Sequence, residues 1–156
     1  SVKIRNISQV LLKAKSVHPA IESGGCVLCH NPHSSEYRSL LVGSFPAEDY
    51  VKASAEIFGI CFMCHDVDLL EAPETEYGTN FRNGTRNLHY IHCNGDRGRN
   101  CILCHDVHAG ENERMIAGSV NYGNWEFKID YQTSETGGSC LTACHVRKDY
   151  DRIVSE

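Results

Sequence analysis

Four times in this chain, two closely spaced cysteines are followed at once by a histidine. The motifs are C-x-x-C-H at 26–30, 61–65 and 101–105, and a stretched C-x-x-x-C-H at 140–145. In C-x-x-C-H, both thiols attach to the edge of one haem and the histidine binds its iron. The sequence therefore predicts four covalently bound haem c groups. The attachment residues are Cys26, Cys29, Cys61, Cys64, Cys101, Cys104, Cys140 and Cys144, and the first iron ligands are His30, His65, His105 and His145.

Structural zinc and a redox-active dithiol are the alternative chemistries for these cysteines. Zinc sites also use C-x-x-C pairs, but they do not require a histidine directly after the second cysteine. Here the histidine follows in all four motifs. A thioredoxin-like pair would lie next to a βαβ pattern, and none surrounds these motifs. We therefore interpret all four as haem sites.

The histidine count is sufficient to give four irons two imidazoles each. Nine histidines are present, and four of them belong to the motifs. The remaining candidates for the second ligand are His18, His33, His89, His92 and His108. Four are needed, so one histidine is in excess.

Helical spacing restricts which histidine serves which haem. His33 lies one turn beyond His30 on the same side of a helix, so it cannot reach the opposite face of the same haem. We therefore expect His33 to serve the second motif and, by the same argument, His108 to serve the fourth. His18 and His92 then complete the first and third motifs, or cross between the two halves of the chain, and His89 is the spare.

The chain contains an internal duplication. The first and third motifs begin 75 residues apart, and each has a second histidine three residues after its first. Each is followed by a plainer motif. This order predicts two dihaem modules, at 1–73 and 85–156, joined by a polar connector with turn character at 74–84.

Regular secondary structure is expected to be sparse, because 156 residues that bind four haems leave little chain for an ordinary core. Pro46 in a first turn predicts a helix over 45–58, and Ser8 is a candidate cap for a short helix that ends near Ala14. Alternating apolar residues predict an extended segment at 125–131. The expected fold is mostly irregular loop with short α-helices around covalently bound haems, little β structure and a haem-based core.

Charge and hydropathy restrict the partners and the location. The formal net charge is −5, which argues against nucleic acid as a partner, and no stretch is long enough for a transmembrane helix. Haem c is attached outside the cytoplasm, so we expect an exported protein whose secretion signal has been removed. The expected location is extracellular or the cell surface, or alternatively the periplasm. The ninth cysteine, Cys93, is expected to be a small buried residue.

These residues resemble a known family. The stretch at 26–35, followed by Leu40, Leu41 and the motif at 61–65, is similar to multihaem c-type cytochromes with a doubled C-x-x-C-H motif. The resemblance implies low-potential haems with two histidine ligands, arranged in closely spaced chains. Such cytochromes include periplasmic electron carriers and four-haem subunits of extracellular filaments, in which a histidine of one subunit can ligate a haem of the next.

The expected function is electron transfer without chemistry on a substrate, because iron with two histidine ligands has no open coordination position. We expect a subunit of an extracellular electron-conducting filament (a nanowire). Its partners would be other copies of itself, redox-protein donors and extracellular acceptors. The alternatives are a soluble periplasmic four-haem shuttle and a multihaem reductase with one open haem.

Overall fold

The helices of this protein are all short. The computed structural model describes residues 5–122 and 124–154. The α-helices are α1 (Ile7–Lys13), α2 (Pro19–Gly24), α3 (Gly59–Phe62), α4 (Asp68–Glu71) and α5 (Leu88–Cys93), and 3₁₀ turns lie at Cys26–Leu28, Arg38–Leu40, Cys101–Leu103 and Glu113–Met115. Within these ranges, no helix has the length and apolar character needed to cross a bilayer.

The strands form four small antiparallel sheets in the described part of the chain. The pairs are β1 (Ser16–Val17) with β4 (Ala109–Gly110), β2 (Arg82–Asn83) with β3 (Arg86–Asn87), and β5 (Ser119–Tyr122) with β6 (Trp125–Lys128). A three-stranded sheet contains β7 (Asp130–Thr133), β8 (Gly137–Thr142) and β9 (His145–Asp151) in that order. The expectation of a mostly irregular chain with little β structure is therefore wrong, because strand and helix each account for 26% of the residues. Several strands have only two residues, too few for the alternation that reveals a strand in a sequence.

The helix expected over 45–58 does not form. Its backbone instead pairs with a later segment: the Val51 amide donates to the Gly98 carbonyl at 2.7 Å, and the Ala53 amide donates to the Cys93 carbonyl at 2.9 Å. A single turn follows, in which the Phe58 amide donates to the Ser54 carbonyl. These long-range bonds use the donors that a helix would have used, and they outweigh the local propensity.

Two other local expectations agree with the structure in outline. The N-terminal helix is α1, but its cap is Asn6, whose side chain accepts a hydrogen bond from the Gln9 amide at 3.2 Å, and not Ser8. The alternating segment at 125–131 forms parts of two strands, β6 and β7, which are separated by the buried Ile129. The alternation therefore identified extended backbone but not the break within it.

The duplication extends to the backbone conformation around the first and third motifs. Ser39 and Leu40 have φ values of 55° and 57°, and Arg114 and Met115, each 75 positions later, have 56° and 61°. Left-handed conformations of this kind cost L-residues about 1–2 kcal/mol each. Both copies therefore retain the same unfavourable turn, which lies opposite the motif histidine in each copy.

The protein core is small and draws on both halves of the chain. Phe58, Ala53 and Cys93 are buried together, and the attachment residues Cys61 and Cys101 pack partly buried against them. The halves also meet where β1 pairs with β4. The division into two modules stays a prediction. In this fold, segments from the first half of the chain pair and pack with segments from the second half.

Candidate haem sites

The first three motifs each wind through a single helical turn. The amide of His30 donates to the Cys26 carbonyl at 2.9 Å, and the amide of His105 donates to the Cys101 carbonyl at 2.9 Å. The amide of His65 makes the corresponding bond to the carbonyl of the first cysteine in its motif at 3.0 Å. This turn places the second cysteine and the histidine of each motif three and four residues after the first cysteine on one helical turn, which is the spacing used for attachment to one haem.

The stretched fourth motif lies on a β-hairpin. Cys140 is in β8, and the backbone pairing of Thr142 with His145 leaves Ala143 and Cys144 as a two-residue loop. The Cys144 amide donates to the Thr142 hydroxyl at 3.1 Å. The additional residue between the cysteines is therefore accommodated by a hairpin turn.

The histidines meet in four pairs, and each pair contains one motif histidine. Ring centroids are 6.2 Å apart for His30 with His108, 6.1 Å for His65 with His18, 6.3 Å for His105 with His89, and 6.4 Å for His145 with His92. We number these pairs sites 1 to 4 in the order of their motifs. Among the described residues, no group of three or more potential metal-ligating side chains is present.

The spacing of these pairs fits one iron between two imidazoles. Bonds from a metal to an imidazole nitrogen are about 2.0 Å long, and the nitrogen lies about 1.1 Å from the ring centre, so two axial rings have centroids about 6 Å apart. All four pairs have this separation within a few tenths of an ångström. The pairs are therefore candidate iron-ligand sets.

The pairs differ from those expected from helical spacing. His108 lies opposite His30, not at the fourth motif, and His18 lies at the second motif. His89, expected as the spare, is paired at site 3. His33 is exposed, and in the described part of the chain its ring packs against no other aromatic ring.

Four imidazoles are held in the tautomer that can bind iron. Nδ1 of His30, His105, His92 and His145 lies 2.9, 3.1, 2.7 and 2.6 Å from a backbone carbonyl oxygen, contributed by Ser39, Arg114, Leu88 and Val146 respectively. A carbonyl only accepts, so Nδ1 carries the proton and the Nε2 lone pair is free to coordinate a metal. Two of these carbonyls belong to the left-handed turns, which gives those turns a role at sites 1 and 3.

His18 is held differently. Its Nδ1 accepts a hydrogen bond from the Ala20 amide at 3.2 Å and caps α2. This bond puts the ring proton on Nε2, the nitrogen whose lone pair is free in the four imidazoles above. Binding of iron through Nε2 at site 2 therefore requires the proton to move and the cap to open.

Site 3 is the most enclosed of the four. Burial lowers the pKa of His89 to about 4, with further lowering from the neighbouring His105, His92 and His65. Burial also raises the thiol pKa of Cys101 and Cys104 to about 12. At neutral pH the His89 imidazole is uncharged, which is the form that binds a metal.

Neighbouring imidazoles place the sites in a sequence. The His18 amide of site 2 donates to the His108 carbonyl of site 1 at 3.0 Å. His65 of site 2 lowers the pKa of both His89 and His105 of site 3. His92 of site 4 in turn lowers the pKa of His89. Each site therefore neighbours the next one along the chain.

The attachment thiols show the same order. Cys64 of site 2 raises the pKa of Cys29 of site 1, after the larger effect of burial. Cys61 contributes in the same way to Cys101 of site 3, and Cys140 of site 4 contributes to Cys104 of site 3. The thiols and the imidazoles thus give the same neighbour relations, between sites 1 and 2, sites 2 and 3, and sites 3 and 4.

Asn87 is a positioning residue that was not among the predicted site residues. It is fully buried, and its side-chain oxygen accepts a hydrogen bond from the Tyr90 amide at 3.1 Å, which caps α5. Its side-chain nitrogen donates to the carbonyls of Leu69 and Ala72 at 3.2 and 3.0 Å. The cap fixes the start of the helix that carries His89 and His92, the imidazoles that face the motif histidines of sites 3 and 4. An asparagine directly before an apolar helical stretch is a recognisable start signal.

Cys93 is buried, as expected from its sequence context. Burial raises the pKa of its thiol to about 11. No disulfide links any of the nine cysteines. Cys93 therefore packs in the core as an uncharged thiol beside the attachment residues of site 3.

Comparison with known proteins identifies the motif region. Residues 18–69 match the family described as the doubled CXXCH motif. The matched stretch contains the first two motifs together with His18 and His33, and it supports a multihaem c-type cytochrome that binds haem c covalently and transfers electrons. No curated protein and no solved structure matches the chain.

Proposed function

We propose that this c-type cytochrome carries single electrons along a line of four haem c groups, with two histidines on each iron and no chemistry on a substrate. The observation that carries the proposal is the set of four histidine pairs, each with the spacing of two axial ligands. Haem supplies an iron that accepts and releases one electron. The chain holds that iron and sets its potential.

The protein's own residues account for the absence of substrate chemistry in this proposal. Two cysteines tether each haem, and one imidazole on each face leaves no coordination position for a small molecule. For four of the imidazoles, the Nδ1 bonds to backbone carbonyls hold the rings and raise their basicity as ligands: His30, His92, His105 and His145. This arrangement favours the ferric state and hence a low potential.

The order of the sites supports transfer along the chain of haems. Site 2 lies between sites 1 and 3, and site 3 lies between sites 2 and 4, where burial is the largest cause of the shifted pKa values of His89 and Cys104. Exposed motif cysteines occur at both end sites, Cys26 at site 1 and Cys144 at site 4, and also at site 2, Cys64. We infer that electrons enter and leave through these two ends.

Assembly into an extracellular filament remains our proposal for the partner. Exposed sites at both ends of the line suit transfer between copies of the chain, and export is implied by covalent haem attachment. Each proposed iron receives both ligands from its own chain, however, so no iron needs a histidine ligand from another subunit. A soluble periplasmic carrier that passes electrons through the same two ends is the second candidate.

A multihaem reductase is less well supported. Such an enzyme needs one iron with an exchangeable face. Every motif histidine in this structure has a second imidazole opposite it. The proposed ligation therefore leaves no site for nitrite or a sulfur oxyanion.

Spectroscopy of the purified haem-loaded protein tests the proposal. We expect a mass corresponding to four haems per chain, an entirely low-spin ferric spectrum, and no change on addition of cyanide or nitrite. A high-spin fraction that responds to either ligand would support the reductase in place of the carrier. Negative-stain microscopy of the native fraction then distinguishes filaments from a monomeric shuttle.

A further inference from the structure

One aromatic side chain touches ligands of two different sites. The Phe81 ring lies 5.2 Å from the His89 ring at a steep angle of 73° and 5.7 Å from the His92 ring at a shallow angle of 25°. His89 belongs to site 3 and His92 to site 4. Phe81 thus lies at the junction between the last two sites of the line.

One further ring contact and two backbone hydrogen bonds fix the position of Phe81. The Tyr150 ring packs against it edge-on at 5.1 Å. The Phe81 amide donates to the Thr79 hydroxyl at 3.0 Å, and the same hydroxyl lies 2.8 Å from Nδ1 of His89. The Phe81 carbonyl accepts a hydrogen bond from the Leu88 amide at 3.0 Å, at the start of α5. A ring fixed in this way restricts both imidazoles that it touches.

We propose that Phe81 is a positioning residue shared by sites 3 and 4, which fixes the imidazole planes of His89 and His92 and sets the potentials of both haems together. The proposal rests on the proposed function, because it takes these two histidines as iron ligands. Between sites 1 and 2 the described structure uses a different link, a backbone hydrogen bond from His18 to His108. The aromatic junction therefore distinguishes the second half of the line from the first.

The expected effect follows from what the ring excludes and what it constrains. An apolar ring against both imidazoles keeps water away, which disfavours the charged ferric state. It also holds the planes of His89 and His105 at 19° and those of His92 and His145 at 48°. The angle between two imidazole planes on a low-spin ferric iron determines the anisotropy of its electron paramagnetic resonance signal. Both quantities are therefore measurable readouts of the Phe81 ring.

The test compares Phe81→Leu with Phe81→Tyr in the full haem-loaded chain. In Phe81→Leu we expect two of the four low-spin resonance components to shift and two to remain, and two of the four midpoint potentials to fall. Phe81→Tyr keeps the ring and should retain the wild-type components. If Phe81→Leu does not load four haems, Phe81→Met gives the same comparison, because it keeps apolar volume without a rigid ring.

Phe45→Leu is the matched control. Phe45 packs edge-on against Phe58 at 5.5 Å in the protein core, and removal of its ring should leave all four components in place. Four unchanged components in Phe81→Leu, or the same change in all four, would overturn the proposal. A wild-type spectrum that already contains high-spin iron would instead contradict the proposed function, so the two failures are distinguishable.

Discussion

At the scale of single residues, the duplicated motifs contain two histidines with equivalent positions and different environments. His33 and His108 each lie three residues after a motif histidine. His108 faces His30 at site 1, whereas His33 is exposed. If the two copies matched fully, His33 would face His105 in the way that His108 faces His30. His89 faces His105 instead. The two copies therefore differ in which histidine faces the motif histidine.

This difference predicts opposite results for two matched substitutions. His108→Ala should convert one of the four haems from low spin to a form that binds cyanide, because its iron loses the second imidazole. His33→Ala should leave all four haems low-spin. Cyanide titration of the ferric protein, followed by optical absorption, measures both. A cyanide-binding haem in His33→Ala would show that His33, and not one of the four paired histidines, completes an iron site.

The four motifs are visible in the sequence, but the pairing of the histidine rings in the structure is not. Eight cysteines and four histidines occur in local motifs, and the spacing within these motifs indicates haem attachment. The imidazole pairs join positions as far apart as His30 and His108, and this pairing depends on long-range backbone contacts such as that of β1 with β4. Local spacing excluded some partners but contained no information on which distant partner was present.

At the scale of elements, the fourth motif is the clearest departure from the other three. A hairpin with a two-residue loop replaces the helical turn. In a strand, a shift of one residue moves every side chain to the opposite face. The length of this loop therefore determines where His145 lies relative to His92.

Deletion of Ala143 tests this dependence, because it restores the regular C-x-x-C-H spacing and removes one of the two loop residues. We expect one of the four haems to lose its low-spin signal, since the altered register of β9 separates His145 from His92. Electron paramagnetic resonance of the ferric protein measures the change. Ala143→Gly is the control, because it keeps the loop length and glycine suits two-residue hairpin turns. A fully low-spin deletion variant would contradict the proposed role of the hairpin.

Elements were predictable where they had a local signal. The helix α1 and the extended segment around Trp125 follow from apolar spacing. The helix expected over 45–58 had suitable residues, but its backbone pairs with the segment that contains Cys93 and Gly98. Strands of two residues, such as β1 and β4, exist only because a distant partner completes them. This is why the β content was underestimated.

At the scale of the whole molecule, the buried apolar protein surface is small. The buried hydrophobic residues in the described part of the chain are Ala53, Phe58, Cys93, Ala109, Ile129 and Tyr150. Side chains within the motifs remain exposed, for example Val27 at 65% and Met63 at 64%. Porphyrin faces are the natural cover for such residues, because small folds need additional apolar surface or cross-links.

Removal of the haems should therefore abolish cooperative folding. We expect a chain with all eight attachment cysteines replaced by serine to show a broad, non-sigmoidal thermal transition by far-ultraviolet circular dichroism. The control is Cys93→Ser, which keeps every attachment residue and should melt cooperatively, with a loss of about 1–3 kcal/mol for the buried hydroxyl. A sharp transition in the haem-free chain would show that the protein core suffices.

The pairing of His108 with His30 of the first motif also has a consequence for the order in which the sites are completed. The two ligands of site 1 are 78 positions apart, whereas those of site 3 are 16 apart. Loop closure over the longer span costs about 1.4 kcal/mol more, and His30 precedes its partner by 78 positions in the chain. Under the proposed ligation, the first haem to be tethered keeps an open iron face until the strand that follows His108 reaches Ser16 and Val17. The site nearest the start of the chain is therefore among the last to be completed.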